Sequence, residues 1–537
     1  MKEQSTAKGF AILSAAGMIV KILSLLYVPF LQIIIGREGY GVYVAAYQIF
    51  VFVYVLTNSG VPIAIAKLVS ELIALENYKD ALKAFKIARA ALLILGLISS
   101  IVLIGFAYPL VSFSKTPEAY MPIIALAPAV FITSVMSAYR GYFQGLGNMT
   151  PTAISQVGEQ IINTVFSLVF AALLISKGIE LGCVGATTGT TIGALAACIY
   201  LIWIYEKNKK TKINRISSKV PILRLSNKVI FRKLISYAIP MTICVGLQNA
   251  GTIIDMLVIK RRLLESGFDQ SISNIKYGIL GTYNTLIFVP ITMISALSAA
   301  ALPSIAGAAA RNDRRTVQEK INYTFRLCSI VAVPAAVGLA VLSKPIYSLL
   351  FPANIEGHVL MKYGSIVVVL MAIVQIQTTI LQSVGKLYVV TISLTLGIFA
   401  KIICNYILVA KPEININGAI VGNIICFVIP LIINNIVMKK ALRIRVRLLD
   451  YLIKPMIASA FMGLIVYITY FNLDTIFMNT KHSIVVTAAC TMLPIIIGAI
   501  VYAYGLILTG GITKKDLDTV SPRVTRLIPI FIKNRIR

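Results

Sequence analysis

Fourteen long apolar runs, each ended by polar or basic residues, constrain this chain more than any other feature. They fall at 9–35, 41–73, 87–113, 119–145, 152–176, 182–205, 233–260, 277–309, 323–352, 359–385, 388–410, 415–438, 451–472 and 484–509. Roughly 20 helical residues cross a bilayer core, so every run is long enough, and the longest imply tilt or extension beyond the bilayer. A spanning β-barrel needs alternating segments of about ten residues, and these runs do not alternate. The predicted fold class is an all-α integral membrane protein of about 14 transmembrane helices. Composition agrees: 58% of the residues are hydrophobic and only 13% charged, against about 25% charged in soluble domains. The first run is too long for a cleaved signal peptide and reads as a retained helix.

Charge sets the expected orientation. Lys and Arg total 50 against 20 Asp and Glu, a net +30. A basic balance of this size can serve nucleic acid, but most of these cations lie in short clusters between apolar runs, where the positive-inside rule places them. Nucleic acid is therefore not an expected partner. The clusters are Lys79, Lys83, Lys86 and Arg89; ten residues between Lys207 and Lys233; Arg311, Arg314, Arg315 and Lys320; Lys439 to Lys454; and the tail from Lys514. The other connections carry scattered cations, such as Arg37, Lys115, Lys177 and Lys411. Both termini are predicted cytoplasmic, with the basic tail also suited to anionic lipid at that face.

The chain repeats itself. FQGLGNMTPTAISQVGEQIINTVF (143–166) parallels LQSVGKLYVVTISLTLGIFAKIICNYIL (381–408), pairing Gln144 with Gln382 and Gly147 with Gly385. Gly185 and Gly189 pair with Gly418 and Gly422, and the charged stretch 76–89 matches 311–326. Each half holds an even number of spans, so the repeat is parallel, as in many transporters. The expected organisation is a six-helix lobe at 1–205, a basic cytoplasmic linker at 206–232, a second lobe at 233–440, two extra helices at 441–510 and a basic tail at 511–537.

No Walker A, GxSxG, HExxH or GxGxxG motif is present, and no cofactor or metal site is expected. The seven cysteines lie in apolar runs without CxxC pairing, which suits small buried hydrophobes. The informative residues are ionisable ones inside spans, each costing about 2.5–3.5 kcal/mol at a helix centre unless paired or wetted. Lys21 shares a small, polar stripe with Ser14, Gly17 and Ser24, facing an anionic ligand or a structural partner. Tyr47, Tyr54 and Asn58 line one helix face, with Gln48 nearby; such a stripe packs a core or borders a sugar. In the seventh span Gln248, Thr252 and Asp255 share a face beside Asn249. Asp255 is a candidate for Na⁺ or proton coupling, or for a pair with Lys21, Arg261 or Arg262. Lys260, Arg261 and Arg262 form either an anion gate at the outer mouth or a solvated helix end. Arg140 and Glu159 form a structural ion pair clamping spans 4 and 5, or contact substrate, with Lys401 in the equivalent stretch of span 11. Prolines such as Pro29, Pro62, Pro240, Pro290, Pro303 and Pro334 are expected to kink their helices.

Several stretches resemble a known family. They are 9–50, SGVPIAIAKLVSE (59–71) and above all YRGYFQGLGNMTPTAISQVGEQI (139–161). These are similar to the polysaccharide-flippase branch of the multidrug/oligosaccharidyl-lipid/polysaccharide superfamily, within it the group of stage V sporulation protein B and the lipid II flippases. The resemblance implies a V-shaped, two-lobe bacterial cell-membrane transporter with a cationic cavity. Its implied substrate is an undecaprenyl-pyrophosphate-linked peptidoglycan precursor, moved to the outer leaflet by alternating access. It also implies a groove for the lipid tail at spans 13 and 14, and Na⁺ coupling in the span of Asp255. Lys21 falls where one cavity arginine of the lipid II flippases sits. A second is Tyr27 here, and those of spans 2 and 8 have no basic counterpart in 43–58 or 279–295. That departure leaves other lipid-linked polysaccharide units open as cargo. A cation-coupled drug exporter and a non-transporting envelope or sporulation scaffold are the competing readings; the chain is not expected to be an enzyme.

Overall fold

The computed structural model describes residues 6–58, 60–212, 224–310, 313–442, 448–477 and 484–511. Residues 1–5, the middle of the basic linker, the basic tail and all or part of the connections at 59, 311–312, 443–447 and 478–483 therefore lie outside the described residues, as do the cations expected there.

Helix dominates the described residues. The first unit of the fold comprises Met1–Gly281 with Leu394–Gly422. It carries α1 (Thr6–Asn58), α2 (Gly60–Ala74), α3 (Tyr78–Phe113), α4 (Tyr120–Gly145), α5 (Thr150–Leu174), α6 (Ile179–Lys212), α7 (Asn227–Glu265) and the start of α8 (Gln270–Ala310). The second unit comprises Thr282–Ser393 and Asn423–Arg537. It carries the rest of α8, then α9 (Arg314–Val341), α10 (Ser343–Leu350), α11 (His358–Gly364) and α12 (Ile366–Ser383). After α13 (Leu387–Leu408) and α14 (Gly418–Leu442), both divided between the units, come α15 (Leu448–Ile476) and α16 (Ile484–Leu508).

Among the described residues 13 helical stretches are long and apolar enough to cross a membrane. The difference from fourteen runs lies at the start, where the first two runs merge into one stretch, Ile12–Ile73. The break inside α1 falls at Gly36 (φ 73°, ψ 177°), while Pro29 sits within the helix. Glycine alone adopts that backbone freely, so Gly36, which the proline argument passed over, divides the helix.

Capping explains several starts. Asn77 accepts from the Asp80 backbone N–H at 3.2 Å, and its amide donates to Asp80 Oδ2 at 2.8 Å. Asp313 accepts from the Thr316 N–H at 3.1 Å before α9. Each side chain satisfies a helix-end donor that has no carbonyl partner. The matching charged stretches of the repeat thus begin helices in the same way. The turns of the repeat match too. Gly147 (φ 69°) donates to Gln144 O, and Gly385 (φ 75°) donates to Gln382 O. The next residues, Asn148 and Lys386, donate to Phe143 O and Leu381 O.

The first unit has an aromatic core in which Phe85 packs against Tyr139, Tyr142 and Tyr205 at 4.6–5.2 Å between ring centres. The end of the linker is tied to the same region: Leu225 N–H donates to Asp80 Oδ2 and Lys83 Nζ to Leu225 O, both at 2.8 Å. In the second unit Leu342, Met462, Val466, Tyr502 and Leu506 form a buried cluster. Tyr502 Oη there donates to Ile330 O at 2.8 Å. Outward-facing residues such as Leu97, Ile101 and Phe106 on α3 and Phe461, Leu464 and Phe471 on α15 are exposed, as lipid contact requires.

Candidate functional site

Three groups of buried or half-buried polar residues in the first unit hold the charged candidates. The first is a seam of α1, α4, α5 and α6. On α1 the rings of Tyr40, Tyr43, Tyr47, Phe50 and Tyr54 follow one another at 5.6–6.1 Å. Beyond them Asn58 is buried, donating to Thr57 and to Thr133 Oγ1 (3.2 Å) and accepting from Ser137 on α4. One turn further along α4, Arg140 meets Glu159 of α5 at 2.7 Å and donates from Nε to Ser155 Oγ at 3.1 Å.

The helices around this pair approach closely because the facing residues are small. A Cβ on Gly193 of α6 would stand 2.7 Å from the Glu159 carbonyl oxygen and 3.1 Å from the Asn163 nitrogen. Further along, Asn163 Oδ1 accepts from Ser167 (2.9 Å) and Thr190 (3.3 Å), and Ser167 also donates to Ala186 O. The Arg140 side chain is 9% exposed and that of Glu159 22%, so the pair is shielded but reachable from one side.

The second group is a buried ion pair. Asp255 of α7 receives Lys401 Nζ of α13 on Oδ2 at 2.7 Å and Asn405 Nδ2 on Oδ1 at 2.8 Å. Lys401 also donates to Gly251 O at 3.1 Å. Both charged side chains are nearly inaccessible, at 4% and 3% exposure. Among the described residues Asp255 therefore pairs with Lys401, not with Lys21, Arg261 or Arg262. Lys401 stands apart from the Arg140–Glu159 pair with which its repeat position grouped it. The repeat still accounts for the local packing. Gly189 faces Ser167 in the first half and Gly422 faces Asn405 in the second, each glycine leaving no room for a methyl group. A Na⁺ beside this carboxylate, which the family resemblance implies, does not fit. The lysine ammonium already stands against Asp255 Oδ2 and the Asn405 amide against Oδ1, and two cations a few ångströms apart in a low dielectric repel strongly.

The third group lies at the far end of α7. Arg261 bonds Glu265 at 2.9 Å, and Arg262 bonds the same carboxylate while donating to Tyr406 O at 2.9 Å and lying 3.9 Å over the Tyr406 ring. The hydrogen bond from Arg261, with that from Arg262, holds the Glu265 carboxyl below its ordinary pKa. Lys260 differs from its neighbours. It is fully buried, and its ammonium has no hydrogen-bond partner among the described residues. A solvated cluster of three cations is thus reduced to two arginines sharing one carboxylate.

The remaining candidates are less confined. Lys21 is half-buried on α1, as are Tyr47, Gln48 and Tyr54. Asn249 is half-buried and donates to Val245 O of its own helix at 2.8 Å. The side chain of Gln248 lies outside the described residues. In the second unit a pocket is lined by Lys344, Tyr470, Asp474, Phe477 and Cys490, from α10, α15 and α16 with their flanks. Asn405 stands close to Lys401 in the sequence of span 11, but its bond to Asp255, like the parts of Ser155 and Gly251, was not expected from the sequence. The repeat offset that matches Asn163 to Lys401 also matches Ser167 to Asn405, and was the available signal.

Among the described residues these groups pair with and position one another, and no nucleophile stands beside a base in the three groups. Known proteins similar to this chain are membrane proteins. Lipid II flippase MurJ of Bacillus subtilis (strain 168) is 26% identical over 93% of this chain and 94% of its own length. Stage V sporulation protein B of the same organism is 26% identical over 84% of this chain and 87% of its own. A solved structure of lipid II flippase MurJ, in an inward closed conformation, superimposes with a TM-score of 0.65 at 14% identity, covering 94% of this chain and 98% of that one. The fold is therefore the MurJ-like helical fold of a multi-pass membrane protein. The family described as polysaccharide biosynthesis protein matches residues 6–309. With more than half of its length so matched, the chain belongs to the polysaccharide biosynthesis protein family.

Proposed function

We propose that this chain is a flippase that carries the diphosphate-sugar headgroup of a lipid-linked glycan, a lipid II-like peptidoglycan precursor, from the inner to the outer leaflet. The observation that carries the reading is the likeness to lipid II flippase MurJ along nearly the whole of both chains, in sequence and in fold. The site chemistry supports it. A diphosphate needs cations, and charge-assisted hydrogen bonds to phosphate are among the strongest available. Lys21 supplies one on the small, polar stripe of α1. Tyr47, Gln48, Tyr54, Gln248 and Asn249 supply the aromatic and amide contacts that sugars take. Arg261 and Arg262, which share the Glu265 carboxylate, keep a net positive charge at the end of α7 through which the headgroup leaves.

In this reading the lobes 1–205 and 233–440 rock in alternating access, both termini are cytoplasmic, and the basic linker and tail lie at the anionic inner surface. The prenyl tail stays in lipid or in the groove of α15 and α16. Arg140 and Glu159 clamp α4 to α5 and do not bind cargo. Another lipid-linked polysaccharide unit is the second reading, on one observation: no basic residue occurs in 43–58 or 279–295.

The test is outer-leaflet exposure of lipid II in cells depleted of their own flippases, with this chain supplied as wild type or as Lys21→Ala at matched membrane levels. The wild type restores exposure. Loss of one charged hydrogen bond, about 1.5–3 kcal/mol, slows the variant roughly ten- to hundredfold. Equal restoration by both removes the role of Lys21. Failure of both, with the protein inserted, removes lipid II as the cargo.

A further inference from the structure

We propose that the Asp255 cluster is a cation cage filled from within. The Lys401 ammonium occupies the place of a monovalent metal ion, so this chain binds no Na⁺ there and transports without it. The inference rests on the transporter reading for its consequence, but its core is a statement about binding.

The donor set has the composition of a hard-cation site. Asp255 offers a carboxylate, Gly251 a backbone carbonyl and Asn405 an amide, all oxygen donors of the kind such cations select. Two of these oxygens, Asp255 Oδ2 and Gly251 O, converge on Lys401 Nζ at 2.7 and 3.1 Å. Asn405 turns its Nδ2 to Asp255 Oδ1 at 2.8 Å, leaving its own Oδ1 buried with no hydrogen-bond partner among the described residues. An amide that orients this way beside a paired carboxylate is one rotation from presenting its oxygen inward. Gly422 makes the room: a Cβ there would meet Asn405 Oδ1 and come within 3.5 Å of Lys401 Cγ.

The ammonium matches a monovalent ion in charge but cannot leave. A dissociable ion stores the energy of its gradient in each cycle; a tethered one stores none. The cage therefore balances Asp255 permanently and cannot couple transport to a Na⁺ gradient. Removing the tether should turn the site back into a binding site. Lys401→Ala leaves the uncompensated Asp255 carboxylate and Gly251 O facing the vacated space, with Asn405 Oδ1 added once its amide rotates. Lys401→Met also removes the charge but fills the space.

The experiment uses the purified full chain in lipid nanodiscs and radiolabelled Na⁺ at equilibrium, with choline holding ionic strength constant. Wild type is expected to retain no Na⁺ above the choline background. Lys401→Ala is expected to bind about one Na⁺ per chain and to gain thermal stability with Na⁺ concentration, as a ligand of the folded state must. Lys401→Met and Lys401→Ala with Asp255→Asn are expected to bind none. Na⁺ binding by the wild type that is lost in Asp255→Asn overturns the proposal, as does a folded Lys401→Ala that binds none. Should Lys401→Ala not fold, the wild-type arm still decides. The readout needs no substrate, so failure here is distinct from failure of the flippase reading.

Discussion

Replacing Gly193 by alanine tests the helix packing behind the candidate site, because two effects of opposite sign compete there. In an unobstructed helix Gly→Ala stabilises by about 1 kcal/mol. At Gly193 the added Cβ would stand 2.7 Å from the Glu159 carbonyl oxygen and 3.1 Å from the Asn163 nitrogen. An ordinary carbon–oxygen approach is about 3.3 Å or more, so α6 and α5 must part by roughly 0.6 Å. Both obstructing atoms are backbone and cannot rotate away. Overpacking of this kind costs about 1–3 kcal/mol, so the net change is a destabilisation of up to about 2 kcal/mol. Gly105→Ala is the control: Gly105 is exposed on α3 with no atom within 4 Å of the new Cβ, and only the favourable term remains. Reversible unfolding in mixed micelles should therefore rank Gly105→Ala above wild type and Gly193→Ala below it. A Gly193→Ala protein as stable as Gly105→Ala would refute the close approach of α5 and α6 at Glu159.

Two further outcomes concern polar groups and a third the break in α1. Asp255→Ala and Lys401→Ala should each destabilise by about 3–5 kcal/mol, since each strands a buried charge. Their double variant should fall well short of the sum, and additivity within about 0.5 kcal/mol would mean that the pair does not form. Arg140→Ala should destabilise by about 1.5–3 kcal/mol through the lost charged hydrogen bonds, measured by the same unfolding transition, while Ser155→Ala costs less. Gly36→Ala should destabilise the protein, since only glycine takes φ 73° with ψ 177° freely. A neutral result would place the break in α1 elsewhere.

Much of the architecture was legible because lipid imposes it. Apolar length reports spans directly, and the repeat at Gln144/Gln382 and Gly147/Gly385 corresponds to the same hydrogen-bonded turn in both halves. Arg140 and Glu159 could be paired from sequence because α4 and α5 are joined by a short turn, which fixes their register. Asp255 could not be assigned. Its partner lies 146 residues away on α13, and hydropathy does not encode which face of α7 meets which helix. Lys21 or Arg261 was as good a partner on charge alone. Gly36 was hidden for a different reason: proline is the expected helix breaker, whereas here the break needs a positive φ. Lys260 read as a solvated cation because its neighbours are arginines, yet the structure buries it completely.

The most direct test of the central claim is translocation by the purified chain in proteoliposomes. A fluorescent lipid II is placed in one leaflet, and a second lipid-linked diphosphate glycan is carried in parallel. Wild type is expected to speed transfer of at least one of these to the opposite leaflet, and Lys21→Ala to lose most of that rate. Wild-type protein that is folded and inserted yet moves neither lipid faster than empty vesicles would contradict that claim.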